Sequence, residues 1–165
     1  MPKIIRTFSD ISEKYTTIIC DLWGCLHDGV KSFPGALKAL EDFKASNGKV
    51  VLVTNAPRPI VNVQYQIETL GIKKNYYDML LTSGELTSNF IRKICENELR
   101  IYHIGGKRHH SIYKDMIDEK RILIEIENIE KADLIVCTEP FDPLRDQLSD
   151  YENILKIGIK KQLTF

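Results

Sequence analysis

The sequence predicts an α/β fold built around a parallel β-sheet. Three mostly apolar runs, at residues 16–20, 49–53 and 77–81, have the length and composition of buried strands. Stretches with the helical spacing of apolar residues separate them, at residues 35–45 and 60–70. Alternating strands and helices imply right-handed βαβ units, whose strands lie parallel in one sheet.

The same periodicities predict the other elements. A short amphipathic helix at residues 8–14 precedes the first strand. Asn47-Gly48 is typical of a helix C-cap, and Gly71 ends the second long helix. After the third strand, the pattern predicts a helix at 85–97, a strand and turn at 100–106, a helix at 111–119, strands at 121–126 and 132–138, a helix at 146–156 and the opening of a further strand at 163–165.

Composition and charge limit the classes of function that we expect for this chain. The chain has 165 residues, of which 43% are hydrophobic, so it has enough apolar material for a packed core. Its 23 basic and 23 acidic residues balance, and so we expect neither a nucleic-acid partner nor a membrane surface. The N-terminus has no signal-peptide pattern, and no apolar run reaches the length of a membrane span. Four cysteines without CxxC spacing favour reduced thiols in a cytoplasmic protein.

Polar residues follow the three strands at the point where each one ends. Asp21 closes the first strand, Thr54-Asn55 follows the second, and Thr82-Ser83-Gly84 follows the third. Because ligands of open α/β sheets bind at the carboxyl ends of the strands, Asp21 could be a nucleophile or a metal ligand. The alternative is that Asp21 only caps the next turn. A carboxylate can attack a phosphoryl group, to which Thr54 and Asn55 can donate hydrogen bonds.

Several ordered motifs resemble the haloacid dehalogenase superfamily, in the subclass with a large α/β cap that includes NagD-like phosphatases. The motifs are Asp21-Leu22-Trp23-Gly24-Cys25-Leu26-His27-Asp28-Gly29, Phe33-Pro34-Gly35-Ala36, Val53-Thr54-Asn55-Ala56-Pro57-Arg58, Leu70-Gly71-Ile72 and Thr82-Ser83-Gly84-Glu85. The resemblance runs from about Tyr15 to the C-terminus. It implies a Rossmann-like core at residues 1–98, followed by part of the α/β cap at residues 99–165.

The resemblance also implies a chemistry. Family members hydrolyse phosphate esters of small metabolites with Mg²⁺, through an aspartyl-phosphate. By this resemblance Asp21 is the catalytic nucleophile and a metal ligand, and Trp23 supplies a backbone carbonyl to the metal. Thr54 and Asn55 are the phosphate-binding residues.

The chain departs from the family pattern in two ways. Trp23 stands where family phosphatases carry an Asp that serves as general acid and base, and an indole cannot protonate a leaving group. The family's downstream lysine and acidic metal motif are also missing before Phe165. We therefore expect a chain truncated within the cap and inactive by itself, whose first strand lies on an open edge and promotes self-association.

Three alternatives remain. The chain could be one subunit of a split enzyme that needs a separate C-terminal half, or a non-catalytic remnant. It could instead be a complete capless phosphatase, in which residues 132–139 carry the acidic motif and Lys120 or Lys131 is the missing lysine.

Three motifs that contain histidine or basic residues have structural interpretations. The Lys107-Arg108-His109-His110 cluster is predicted to be the solvated start of a helix. His27-Asp28 is predicted to lie in the flap after the first strand, where Asp28-Gly29 makes a turn. His103, within an apolar strand, is expected to be packed rather than to be a ligand.

Overall fold

The computed structural model describes residues 4–113 and 122–165, which form two compact units at residues 1–85 and 86–165. Each unit contains a three-stranded, fully parallel sheet with helices, so the predicted α/β class is confirmed.

The first unit holds the sheet that carries Asp21. The elements are α1 (Ser9–Ser12), β1 (Thr17–Asp21), α2 (Pro34–Ala45), β2 (Lys49–Thr54), α3 (Ile60–Thr69), a 3-10 turn (Lys74–Tyr76) and β3 (Met79–Thr82), followed by the start of α4 (Ser83–Ile94). The strands are ordered β1-β2-β3, and β1 lies at the edge, paired only with β2 among the described strands.

The ends of α2 show how local sequence sets these boundaries. Pro34 occupies the first helical turn, where a missing N–H costs nothing. At the other end Asn47 takes a left-handed conformation (φ 63°), and the Gly48 N–H donates to the Phe43 carbonyl at 3.0 Å. The predicted Asn47-Gly48 cap is thus confirmed, with Asn47 rather than the glycine in the left-handed position.

One face of this sheet is packed and the other is not. Val50, Leu52 and Leu80 are buried against α2 and α3. The opposite face carries Ile19 and Met79, which are 73% and 53% exposed. Parallel sheets are normally covered on both faces, so this apolar face is unusual.

The second unit repeats the parallel arrangement with strand order β5-β4-β6. Its elements after α4 are β4 (Glu98–Ile104), a 3-10 turn (Lys107–Ile112), β5 (Ile122–Glu125), a 3-10 turn (Ile129–Lys131), β6 (Leu134–Cys137) and α5 (Leu148–Lys160). Residues 163–165 add a single parallel bridge, Leu134 to Thr164, which agrees with the predicted opening of a strand.

One alternative is not supported and one expectation is wrong. The strand assigned to an acidic motif in the capless alternative is β6, which pairs with β4 in the second sheet and not with β1. The histidines of the basic cluster are buried rather than solvated, because the turn after β4 directs His109 and His110 inward while Lys107 and Arg108 stay exposed. Most of the helix predicted at 111–119 falls outside the described residues.

Within residues 4–113 and 122–165, no helix is both long and apolar enough to span a membrane.

Candidate active site

Asp21 is the last residue of β1, and its side chain is exposed. One carboxylate oxygen, Oδ1, accepts a hydrogen bond from the Leu22 N–H at 2.7 Å. That contact is what the turn-capping interpretation requires, but it occupies only one of the two oxygens. The other faces no donor among the described residues, so it can serve as a nucleophile or a ligand.

The segment after Asp21 folds into a tight flap. The Leu22 carbonyl accepts hydrogen bonds from the N–H groups of Cys25, Leu26 and His27. Asp28 Oδ1 accepts from the Val30 and Lys31 N–H groups at 2.9 and 2.8 Å, and Gly29 has φ 90°. The predicted Asp28-Gly29 turn is therefore confirmed.

His27 and Trp23 organise this flap. His27 is buried, and its Nδ1 accepts the Gly29 N–H at 3.0 Å, so the ring proton lies on Nε2. Burial lowers the pKa of His27, which makes the neutral ring the dominant form near pH 7. The Trp23 indole meets His27 edge to face and lies over Gly29, where a Cβ would come within 2.4 Å of the ring. Trp23 is thus a packing element of the flap.

Thr54 and Asn55 lie at the end of the neighbouring strand. Asp21 is in register with Val53, so Thr54 is one residue further along β2, at the same edge of the sheet. The Thr54 hydroxyl accepts from the Ala56 N–H at 3.2 Å, which leaves its proton free to donate. Asn55 is exposed, and within the described part of the chain its side-chain amide has no hydrogen-bond partner.

The third polar motif, Thr82-Ser83-Gly84, does not line the site but holds the Thr54-Asn55 loop in place. The Ser83 hydroxyl lies 2.8 and 3.0 Å from the carbonyls of Asn55 and Ala56. Buried Thr82 donates to the Arg58 carbonyl at 2.7 Å, and Glu85 accepts the Ile60 N–H that opens α3. Sequence reasoning placed this motif at the correct edge but missed that it positions the Thr54-Asn55 loop.

The oxygen atoms available at this site are of the chemical type that binds Mg²⁺. The Asp21 carboxylate and the Trp23 carbonyl are the hard oxygen ligands that Mg²⁺ prefers, and no donor among the described residues is bonded to the Trp23 carbonyl. Among the described residues, no group of three or more His, Cys, Asp or Glu ligand atoms includes Asp21. Asp21 is therefore not part of a ready-made cluster of ligating side chains in that part of the chain.

Known proteins resemble this chain in sequence and in fold. A family model for haloacid dehalogenase-like hydrolases matches residues 18–116. A crystal structure of a haloacid dehalogenase-like hydrolase from Brucella suis is 34% identical, with a TM-score of 0.76, over 98% of this chain and 58% of that one. No curated protein matches the chain.

Two more distant structures share the fold. A 4-nitrophenylphosphatase from Thermotoga maritima is 21% identical, with a TM-score of 0.57, over 92% of this chain and 53% of that one. A glycerol phosphate phosphatase from Mycobacterium tuberculosis, solved in complex with magnesium, is 20% identical, with a TM-score of 0.57, over 90% of this chain and 43% of that one. The chain thus spans less than two thirds of the length of each of these structures.

The family model covers more than half of the chain, including Asp21 and the Thr54-Asn55 loop. The chain therefore belongs to the haloacid dehalogenase-like hydrolase family.

Proposed function

We propose that the chain carries the nucleophile and the phosphate-binding loop of a Mg²⁺-dependent phosphatase. The observation that carries this proposal is the position of Asp21, exposed at the carboxyl end of β1 and beside the Thr54-Asn55 loop of the adjacent strand. The first compact unit supplies this part of the catalytic core, and the second corresponds to part of the family's cap. The substrate class is a small phosphorylated metabolite, as suggested by the glycerol phosphate phosphatase with the same fold.

The proposed reaction starts at the free oxygen of Asp21. This oxygen forms a bond to phosphorus while the bond from phosphorus to the ester oxygen breaks, and the leaving alkoxide takes the electron pair. Thr54 and Asn55 donate hydrogen bonds to the phosphoryl oxygens. Water then attacks phosphorus, the bond from phosphorus to the Asp21 oxygen breaks, and inorganic phosphate leaves while the carboxylate is restored. Asp21 and the Trp23 carbonyl would hold Mg²⁺, which would supply positive charge for the phosphoryl group.

Trp23 restricts which substrates react. Because the indole carries no titratable proton, the leaving oxygen takes its proton from solvent. Losing general-acid help costs about 10²–10⁴-fold in rate for substrates that need it. We therefore propose that phosphoryl donors with good leaving groups react with Asp21 and that ordinary alkyl phosphates are turned over negligibly by this chain alone. In the described part of the chain, no cluster of three ligating side chains includes Asp21, and this weak Mg²⁺ site also lowers turnover.

A second candidate role is that of one part of a two-part enzyme. The edge position of β1 and the exposed apolar face with Ile19 and Met79 favour it. We propose that a complementary polypeptide segment would add a strand beside β1 and cover this face, bringing a cation and further carboxylates to Asp21.

Covalent labelling tests the proposed chemistry. We expect the chain, incubated with Mg²⁺ and acetyl phosphate, to acquire one phosphoryl group that hydroxylamine removes and that peptide mass spectrometry assigns to Asp21. Asp21→Asn is the matched control, since the amide keeps the shape but is not a nucleophile. Chelation of Mg²⁺ with EDTA should lower the labelling.

The outcomes separate the parts of the proposal. Equal labelling of Asp21→Asn would contradict the assignment of the nucleophile. Vigorous Mg²⁺-dependent hydrolysis of alkyl phosphates that disappears in Asp21→Asn would keep the nucleophile but contradict the inactivity of the isolated chain.

A further inference from the structure

The second unit contains a group of metal-ligating side chains far in sequence from Asp21. His103 lies on β4, His110 in the turn that follows β4, and Glu125 at the end of β5. One ligand atom from each lies within 4.8 Å of the others, and this is the only such three-residue group in the described part of the chain. Both histidines are buried, whereas Glu125 is partly open to solvent.

A hydrogen-bond chain orients His103. The Thr138 hydroxyl lies 3.0 Å from His103 Nε2 and 3.4 Å from the Ile104 carbonyl. With its own proton directed to that carbonyl, the Thr138 oxygen can accept the Nε2 proton of His103. In that tautomer Nδ1, on the other side of the ring, carries the lone pair. Such support of the second ring nitrogen is typical of metal-bound histidines.

The groups facing His103 complete the set. The Tyr113 hydroxyl lies 3.2 Å from His103 Nδ1, and the two imidazole rings are 4.8 Å apart between centroids. His110 Nδ1 lies 3.1 Å from Glu125 Oε2.

We propose that His103, His110 and Glu125 bind a divalent transition-metal ion of the zinc class. Two imidazole nitrogens and one carboxylate are a common zinc donor set, and the Tyr113 hydroxyl or a water fills the fourth position. The His110 ring then carries its proton on Nε2, and Nδ1 becomes the ligand atom. The ion would tie β4, the following turn and β5 together. Nitrogen ligands separate this site from the all-oxygen set at Asp21, which suits Mg²⁺.

Metal titration of the full chain tests the site. After removal of bound metal with EDTA, calorimetry with ZnCl₂ in a large excess of Mg²⁺ should show one equivalent of Zn²⁺ bound. Co²⁺ should give the visible absorption of a tetrahedral site. We expect Glu125→Gln and His110→Gln each to weaken Zn²⁺ affinity by at least about tenfold, as for the loss of other metal-site contacts. Glu125 is partly exposed, so its substitution spares the core.

Two controls make the result specific. His109→Gln changes a buried neighbour that faces Glu139 at 3.3 Å instead of the cluster, and it should leave Zn²⁺ affinity unchanged. Asp21→Asn should also leave it unchanged. The proposal is overturned if the wild-type chain binds no Zn²⁺, if Glu125→Gln binds as tightly as wild type, or if Asp21→Asn removes the binding.

Discussion

The purified chain should self-associate, with a sedimentation coefficient that rises with concentration, and Ile19→Lys should shift it to a monomer. Among the described strands β1 pairs with β2 alone, and Ile19 is 73% exposed in the middle of this edge strand. Unpaired N–H and C=O groups beside exposed apolar side chains are a template for pairing with another strand.

The register shows which groups are open. The Lys49 N–H donates to the Thr16 carbonyl, so the backbone groups of alternate residues, at Thr17, Ile19 and Asp21, point away from β2. Ile19 is also in register with Val51, which in turn lies beside Met79 on the same uncovered face. A lysine at position 19 would place a charge on the open edge of β1 and on the uncovered apolar face. Natural proteins protect their edge strands with charges in this way.

A matched variant separates this effect from charge alone. Val61 is 70% exposed on α3, away from the sheet, so Val61→Lys adds the same charge and should leave the association unchanged. Amide hydrogen exchange supplies a second measurement, because dilution should speed exchange at Thr17 and Ile19. A wild-type chain that stays monomeric at all concentrations, with these amides strongly protected, would contradict the open edge.

The strands of the first sheet could be predicted because their residues carry the signal locally. Residues 49–53 are a short apolar run with polar residues at its end, and β2 spans Lys49–Thr54. The position of the polar residues could be predicted too, since parallel strands bring Asp21 and Thr54 to one edge of the sheet whatever their distance in sequence. The residues of the candidate site were therefore predictable from the parallel strands and from the resemblance of the motifs to a family.

The parts that sequence reasoning missed depend on tertiary contacts. Nothing local to Lys107-Arg108-His109-His110 shows that its two histidines are buried. For His110 this depends on His103 and Tyr113, whose rings pack against it. Similarly, the sequence shows Ser83 only as another polar residue at the end of a strand. The fold is needed to show that its hydroxyl contacts the carbonyl of Asn55, 28 positions away.

Gly84→Ala should destabilise the first unit, against the usual effect of this substitution in a helix. Alanine in place of a helical glycine normally stabilises by about 0.4–1 kcal/mol, since it restricts the unfolded chain. A Cβ at Gly84 would instead lie 2.2 Å from the Arg58 backbone nitrogen and 2.6 Å from the Arg58 carbonyl carbon and oxygen. Backbone atoms cannot rotate away as a flexible side chain can, so we expect a net loss of about 1–3 kcal/mol.

The clash has a second consequence, because Arg58 belongs to the loop that carries Thr54 and Asn55. The Gly84 N–H donates to the Ala56 carbonyl at 3.2 Å, and Thr82 and Ser83 hold the same loop. Relief of the clash requires the loop to move away from α4. We therefore expect faster amide exchange in the loop at Asn55 and Ala56 in Gly84→Ala, whether or not Asp21 accepts a phosphoryl group.

Gly35 provides the matched control for this prediction. It lies in the first turn of α2, and a Cβ there meets nothing within 4 Å, so Gly35→Ala should be neutral or stabilising by the usual amount. Urea unfolding followed by the fluorescence of Trp23, the chain's one tryptophan, reports on the first unit in both variants. Equal midpoints for Gly84→Ala and Gly35→Ala would show that the Thr82–Glu85 motif does not press on the Arg58 backbone, and the positioning role assigned to that motif would fail with it.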